Sequence, residues 1–292
     1  MNTLSSQDKL LLIVNPIAGG TDKAAYVDTV KKLIEHRWTL EVFYTTGEND
    51  ASSIKDVIDN YQPDRIMVMG GDGTIKLAAE IVTNKIPIAI LPAGSSNGLA
   101  TDLDIPMEES AAIQIALGSN AKVIDTLYIN DGLGLHISDI GLNAELIREY
   151  DSGTIRGHLG YALQVIPTLW KSETPCKFKI ITKDETREVT AVMVAFANSK
   201  KFGTGVTVNP NSSMEDGYFE VLIFKNLDPI DVVKTMMGSI PLDSEFVEII
   251  KTQEAIVTTE KPVSFQIDGE YCSEKTKVKV SILPGNLCVM VP

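Results

Sequence analysis

Basic residues, histidine, cysteine and long apolar runs are all scarce in this sequence. Lys and Arg number 26 against 39 Asp and Glu, a net charge of −13 at neutral pH. So acidic a chain lacks the electrostatic footprint of a nucleic-acid binder, and its overall charge does not hold it on an anionic membrane. The three cysteines, Cys176, Cys272 and Cys288, lie far apart and form no Cys-x-x-Cys pair, which provides no metal framework and fits a reducing compartment. The three histidines, His36, His136 and His158, have no ligand spacing and read as core or surface residues. The start of the chain, from Met1 to Lys9, has neither the basic opening nor the apolar core of a signal peptide. No apolar run approaches the ~18–20 residues of a membrane span. The expectation is a soluble cytoplasmic protein with no transmembrane segment.

What the chain does have is an ordinary globular mix, 44% hydrophobic and 22% charged over 292 residues, enough for one or two domains with a large core. Up to Gly118, apolar runs alternate with helical periods. Residues 10–14, 40–44, 66–69 and 86–91 read as strands; the first is fully apolar and suited to burial on both faces. Helices are expected at 22–35, where Tyr26, Val30, Leu33 and Ile34 share a face, around Ala51, Ile54, Val57 and Ile58, at 74–82, and at 107–117 with Gly118 as C-cap. A strand–helix pair repeated four times is the pattern of a parallel sheet covered on both faces, with ligands beyond the carboxyl ends of the strands.

After about residue 125 short β-branched or alternating runs dominate. Strands are predicted at 123–129, 133–140, 178–182, 189–197, 218–224, 255–259, 263–267, 277–283 and 287–291. Turn signals separate many of them: Asn130-Asp131-Gly132, Lys183-Asp184, Asp216-Gly217, Asp268-Gly269 and Pro284-Gly285. Helical interruptions are expected at 158–169 and 229–237. This half reads as an antiparallel β domain.

Three loops that leave strand carboxyl ends carry the chemistry. The second, Gly70-Gly71-Asp72-Gly73-Thr74, suits a phosphate: glycines let the backbone approach an anion, and a helix N-terminus supplies free N–H groups. Asp72 would repel a bare phosphate, which suggests a divalent cation between them. The same residues also read as a tight turn with an Asp cap. The first loop begins Asn15-Pro16 and contains Gly19-Gly20; the third runs from Pro92 through Gly94, Ser95, Ser96 and Asn97 to Gly98. Either is a plain loop alone. Lys23 reads as a solvated helix lysine, with supply of positive charge to a phosphate as the alternative. Asn211-Ser212-Ser213 matches a glycosylation pattern that a cytoplasmic chain would not use.

Taken together, these loops resemble the diacylglycerol kinase catalytic-domain family of soluble lipid kinases, which includes bacterial diacylglycerol kinases and sphingosine kinases. The resemblance covers nearly the whole chain. It continues through Ile140-Gly141-Leu142, Gly157-His158-Leu159-Gly160-Tyr161, Glu215-Asp216-Gly217 and Asp268-Gly269-Glu270. It implies an α/β nucleotide-binding domain at 1–125, parallel-sheeted as in NAD kinases and diacylglycerol kinases, with the tail 284–292 packing back on it. An antiparallel β-sandwich domain for the lipid substrate follows at 126–283, and the two enclose a cleft. The implied reaction moves the γ-phosphate of ATP to a lipid hydroxyl with Mg²⁺. The expected partners are ATP and a lipid met transiently at a membrane surface, with a homodimer as one possible assembly.

Residue by residue, the resemblance assigns nucleotide contacts to Asn15, Gly71, Asp72, Gly73, Thr74, Gly94, Ser95 and Asn97. Asp72 and Asp125 become the carboxylates of a Mg²⁺–water network. Asp216, with backbone carbonyls near Ser213 and Tyr218, becomes the holder of a structural divalent ion, although Asp-Gly is also an ordinary turn pair. Glu270, by itself a solvated hairpin glutamate, becomes the general base. Glu145 stands where sphingosine kinases carry an acidic residue for the substrate head group. Trp170 and the apolar face of 158–169 read as core or as lipid-pocket lining. Two departures stand out: Gly98 replaces an acidic residue that many bacterial members have, and Lys76-Leu77 replaces Asn-Glu. They leave two alternatives to a diacylglycerol-like or sphingoid-base-like kinase: a non-catalytic nucleotide- or lipid-binding regulator, and an NAD kinase-like enzyme.

Overall fold

The computed structural model describes residues 7–20, 22–34, 37–82, 85–142, 144, 147, 175–200, 212–225 and 247–292. They fall into two compact units, one of Met1–Ile124 with Asn286–Pro292, the other Asp125–Gly285.

The first unit is built on four parallel strands, β1 (Asp8–Val14), β2 (Trp38–Tyr44), β3 (Arg65–Gly70) and β4 (Ile88–Pro92), in the order β4-β3-β1-β2. Leu10 to Val14 in β1 are wholly buried, which is why the run has no polar residue to offer solvent. Helices α1 (Ala24–Ile34), α2 (Asp50–Tyr61), α3 (Asp72–Val82), α4 (Gly98–Asp102) and α5 (Glu109–Leu117) connect or follow the strands. α5 stops at Gly118, and the Arg65 guanidinium donates to the carbonyls of Ala116 and Gly118 at 2.6 and 2.9 Å, so a cation closes the negative end of the helix. The chain moves from β1 outward to β2, then returns to β3 on the other side of β1. The carboxyl ends of β1 and β3 therefore form a topological switch point, where a crevice opens in sheets of this kind. The end of the chain lies in this unit: Val289 pairs with Ile88 of β4, and the Val291 N–H donates to the Asn120 carbonyl at 3.1 Å.

The second unit begins within β5 (Ala121–Ile129), whose last residues pair with β6 (Gly132–Gly134), and an antiparallel array follows. β7 (Ile137–Gly141) pairs with β10 (Met193–Ala197), β10 with β11 (Phe219–Phe224), and β11 with β12 (Val247–Thr252). β13 (Glu254–Ile267) serves two partners. Its first half pairs with β8 (Cys176–Thr182), itself paired with β9 (Thr186–Ala191), and its last residues pair with β7. β14 (Glu270–Met290) returns along β13. Phe178, Phe196, Phe219 and Phe265, from four different strands, meet in one core. Each such burial is worth roughly 1.5–3 kcal/mol before the entropy cost of ordering.

The strands differ from the sequence expectation in several places, among them that 255–259 and 263–267 are one strand, β13, and that β14 begins at Glu270. The run 133–140 is broken after Gly134, because the Asp268 carboxylate accepts the N–H groups of Leu135 and His136 at 2.8 and 2.9 Å and takes them out of the ladder. The run 189–197 is broken at Val192, whose N–H bonds to the Phe224 carbonyl, so β9 and β10 go to different partners. Pro284-Gly285 is a bend within β14, not a turn: Gly285 has φ +58° and its N–H goes to Asp125. β12 is a strand that the sequence reading did not contain. The expected helices at 158–169 and 229–237, with the 157–161 motif, lie outside the described residues.

Candidate functional site

In the first unit the three loops come together. Gly71 and Gly94 touch backbone to backbone: a Cβ on Gly94 would sit 2.4 Å from the Gly71 Cα, and one on Gly19 would sit 2.5 Å from the Ala93 carbonyl oxygen. No residue with a side chain fits either place, and Gly19 also has φ +60°. Hydrogen bonds complete the junction. The Asn15 N–H donates to the Met69 carbonyl, and the Ala93 N–H to the Gly70 carbonyl, both at 2.9 Å.

The side chains at this junction mostly hold the loops to each other. Asn15 Nδ2 donates to Thr74 Oγ1 at 3.1 Å, and Thr74 is buried against Gly70. Asp72 is the first residue of α3, so that helix begins two residues earlier than its expected start at 74, and its carboxylate accepts the N–H groups of Gly98 and Leu99 at 2.9 and 3.1 Å. It thereby caps α4 and ties the second loop to the third. Asn97, buried and left-handed with φ +53°, folds the third loop on itself: its Oδ1 accepts the Gly94 N–H at 2.8 Å and its Nδ2 donates to the Gly94 carbonyl at 3.0 Å. Gly19, Gly20, Gly73, Ser95 and Ser96 are exposed, and Gly71 and Gly94 half-buried. The surface offered to a ligand is thus glycine backbone, two hydroxyls and the N-terminus of α3.

Lys23 is not solvated. It is only 4% exposed, and its ammonium donates to the Ala18 carbonyl of the first loop at 2.8 Å. Burial pulls its pKa below the ordinary lysine value, with Glu109 and Asp22 opposing. The stem is covered while the charge braces the first loop.

In the second unit Asp125 is a buried clamp. Its two oxygens accept the N–H groups of Gly285 and Gly217, each at 2.7 Å, and its own N–H donates to the Met214 carbonyl at 2.6 Å. Asn198, which the sequence reading did not single out, donates from Nδ2 to the carbonyls of Asp125 and Leu135 at 2.8 and 3.0 Å. Asp216 accepts the Tyr218 N–H at 3.0 Å on one oxygen and the Lys251 ammonium at 2.6 Å on the other. The Ser213 hydroxyl accepts the Glu215 N–H at 3.3 Å. Asp268 and Gly269, with φ +52° and +87°, form a tight hairpin turn, and Glu270 stands exposed immediately after it. Glu145 and Trp170 lie outside the described residues.

Mg²⁺ prefers one or two carboxylates, substrate phosphates and several of its own waters over an all-protein cage. Among the described residues, no three His, Cys, Asp or Glu side chains gather to hold a metal ion. Asp72 and Asp125 have both oxygens engaged by backbone N–H groups, leaving one lone-pair direction on each for a water. Asp72 in the first unit, and Asp125 separately in the second, each fit a water-mediated contact with such an ion.

Comparison with known proteins adds the family. Residues 9–129 match the model of the diacylglycerol kinase catalytic domain, and residues 138–291 that of the YegS C-terminal NAD kinase β-sandwich-like domain. A protein of Synechocystis is 27% identical over 96% of this chain and 70% of its own length. An Escherichia coli protein named "Probable lipid kinase YegS" is 24% identical over 97% of this chain and 95% of its own. The crystal structure of a diacylglycerol kinase from Bacillus anthracis superposes with a TM-score of 0.76 at 21% identity, covering 99% of this chain and 98% of that one, so the fold is shared. An α/β catalytic domain followed by a β-sandwich-like domain, matched across nearly its whole length, places the chain in the diacylglycerol kinase catalytic-domain family of lipid kinases.

Proposed function

We propose that the chain transfers the γ-phosphate of ATP to the hydroxyl of a lipid, diacylglycerol-like or sphingoid-base-like, in the cytoplasm and at a membrane surface. The observation that carries this reading is the convergence of the three glycine-containing loops at the carboxyl ends of β1, β3 and β4, with the close Gly71–Gly94 approach at its centre. Phosphoryl transfer asks for positioning and charge neutralisation rather than covalent chemistry. Exposed Gly73, the hydroxyl of Ser95 and the first N–H groups of α3 are suited to hold phosphates. Asp72 of the first unit and Asp125 of the second are the carboxylates that would each hold a water of a nucleotide-borne Mg²⁺, which would supply neutralisation of the phosphate charge. Glu270 accepts the proton of the lipid hydroxyl at its carboxylate.

The test is a transfer assay with ATP labelled in the γ-phosphate, offered diacylglycerol, a sphingoid base and other lipid alcohols in mixed micelles, with NAD as a soluble control. The reading expects a labelled lipid and dependence on Mg²⁺. ATP binding without any labelled lipid supports the regulator instead, and label in NADP alone supports the NAD kinase-like enzyme.

A further inference from the structure

We propose that Lys251 is the resident cation of the Asp216 loop, so that this loop holds its shape without the divalent ion expected from the family resemblance. The inference does not depend on the proposed reaction. The Lys251 ammonium lies 2.6 Å from Asp216 Oδ2, and the other oxygen, Oδ1, accepts the Tyr218 N–H at 3.0 Å. Both oxygens that a metal would use therefore have donors from within the chain. The Gly217 carbonyl accepts Gln253 Nε2 at 3.1 Å, and the Gly217 N–H is held by the buried Asp125 at 2.7 Å. Lysine is delivered by register, not by chance. Lys251 of β12 stands opposite Glu220 of β11, whose buried carboxylate accepts the Ser212 hydroxyl at 2.8 Å at the start of the same loop. The ammonium also lies 5.4 Å from the centre of the Tyr218 ring, within cation–π reach.

A divalent ion would have to displace this tethered charge. Surface ion pairs are individually weak, so occupancy, not pair strength, decides the outcome. An ammonium fixed two strand-residues from the loop competes at a high effective concentration. The ion would gain one carboxylate and a few carbonyls, far from the six to eight oxygens of a strong calcium site, and would stand beside a like charge.

The test uses the full chain without nucleotide. Melting temperatures are measured in EDTA and in millimolar CaCl₂ or MgCl₂ for the wild type, Asp216→Asn, Lys251→Met, and Lys251→Met with Asp216→Asn. The wild type is expected to melt at the same temperature in all three. Lys251→Met is expected to melt lower in EDTA and to recover about 2–4 °C with Ca²⁺, and the double variant to show no recovery. Tb³⁺ luminescence excited through tyrosine reads the same site directly: an Asp216-dependent signal appears in Lys251→Met and is absent from the wild type. A metal-dependent rise in wild-type melting temperature that Asp216→Asn abolishes overturns the proposal. So does a Lys251→Met protein that acquires neither the Ca²⁺ response nor the Tb³⁺ signal.

Discussion

Gln266 donates from its amide nitrogen to the buried carboxylate of Asp139, across the pairing of β13 with β7. With its nitrogen spent on that carboxylate, the orientation of the amide is set. The amide oxygen is then left to accept the Gly269 N–H at 2.7 Å, inside the turn that presents Glu270. A residue buried in the sheet thus fixes the turn before the proposed base. Gln266→Leu is expected to cost about 1–3 kcal/mol in urea unfolding and to lower kcat more than KM. The reversed pair, Asp139→Asn with Gln266→Glu, inverts the direction of the bond but keeps one donor facing one acceptor and leaves an oxygen at position 266 for the Gly269 N–H, and is expected to recover most of both.

Asp72 is expected to matter for stability even without nucleotide. Asp72→Ala removes two charge-assisted hydrogen bonds at the start of α4, and the loss is expected to be about 2–4 kcal/mol. Urea unfolding of the ligand-free protein measures it, and Asp72→Asn, which keeps one acceptor oxygen, is expected to lose less. An activity defect in either variant therefore reports loop assembly as well as any metal role.

The Gly71–Gly94 approach predicts a local defect. Gly94→Ala places a methyl group 2.4 Å from the Gly71 Cα, so the loops must part. ATP affinity, measured by calorimetry, is expected to fall at least tenfold while far-UV circular dichroism is unchanged, because both residues lie outside the strands and helices.

The cysteines give a pH test of packing. Cys272 is exposed, whereas burial pushes the Cys288 thiol above the ordinary cysteine value, with the Arg65 charge opposing. Iodoacetamide followed by mass spectrometry is expected to label Cys272 first. Only the thiolate reacts, so labelling of Cys288 is expected to keep accelerating at pH values above the ordinary thiol range.

Much of the first unit was legible in the sequence because its signals are local. The apolar run of β1, the glycines of each loop and the helical periods each act within a few residues. The convergence of the loops was legible only as a pattern, since the contact of Gly71 with Gly94 depends on tertiary packing. Asp72, Asp125 and Asp268 were legible as carboxylates but not as clamps, because their donors, such as Gly285 for Asp125, lie far away in sequence. Lys23 was misread because long charged side chains are usually solvated, and only the fold buries its stem. The break at His136 was hidden because burial continues across it, and the one at Val192 because β-branched residues run on while the pairing partner changes.

Lipid phosphorylation with Glu270 as the base is tested by a single comparison. Wild type and Glu270→Gln are assayed side by side for transfer of labelled phosphate from ATP to the best lipid of the panel. Glu270 is exposed, so the variant is expected to fold and bind ATP as the wild type does, and to lose roughly 10²–10⁴-fold in kcat. Near-normal transfer by Glu270→Gln, or no transfer to any lipid by the wild type, contradicts the account.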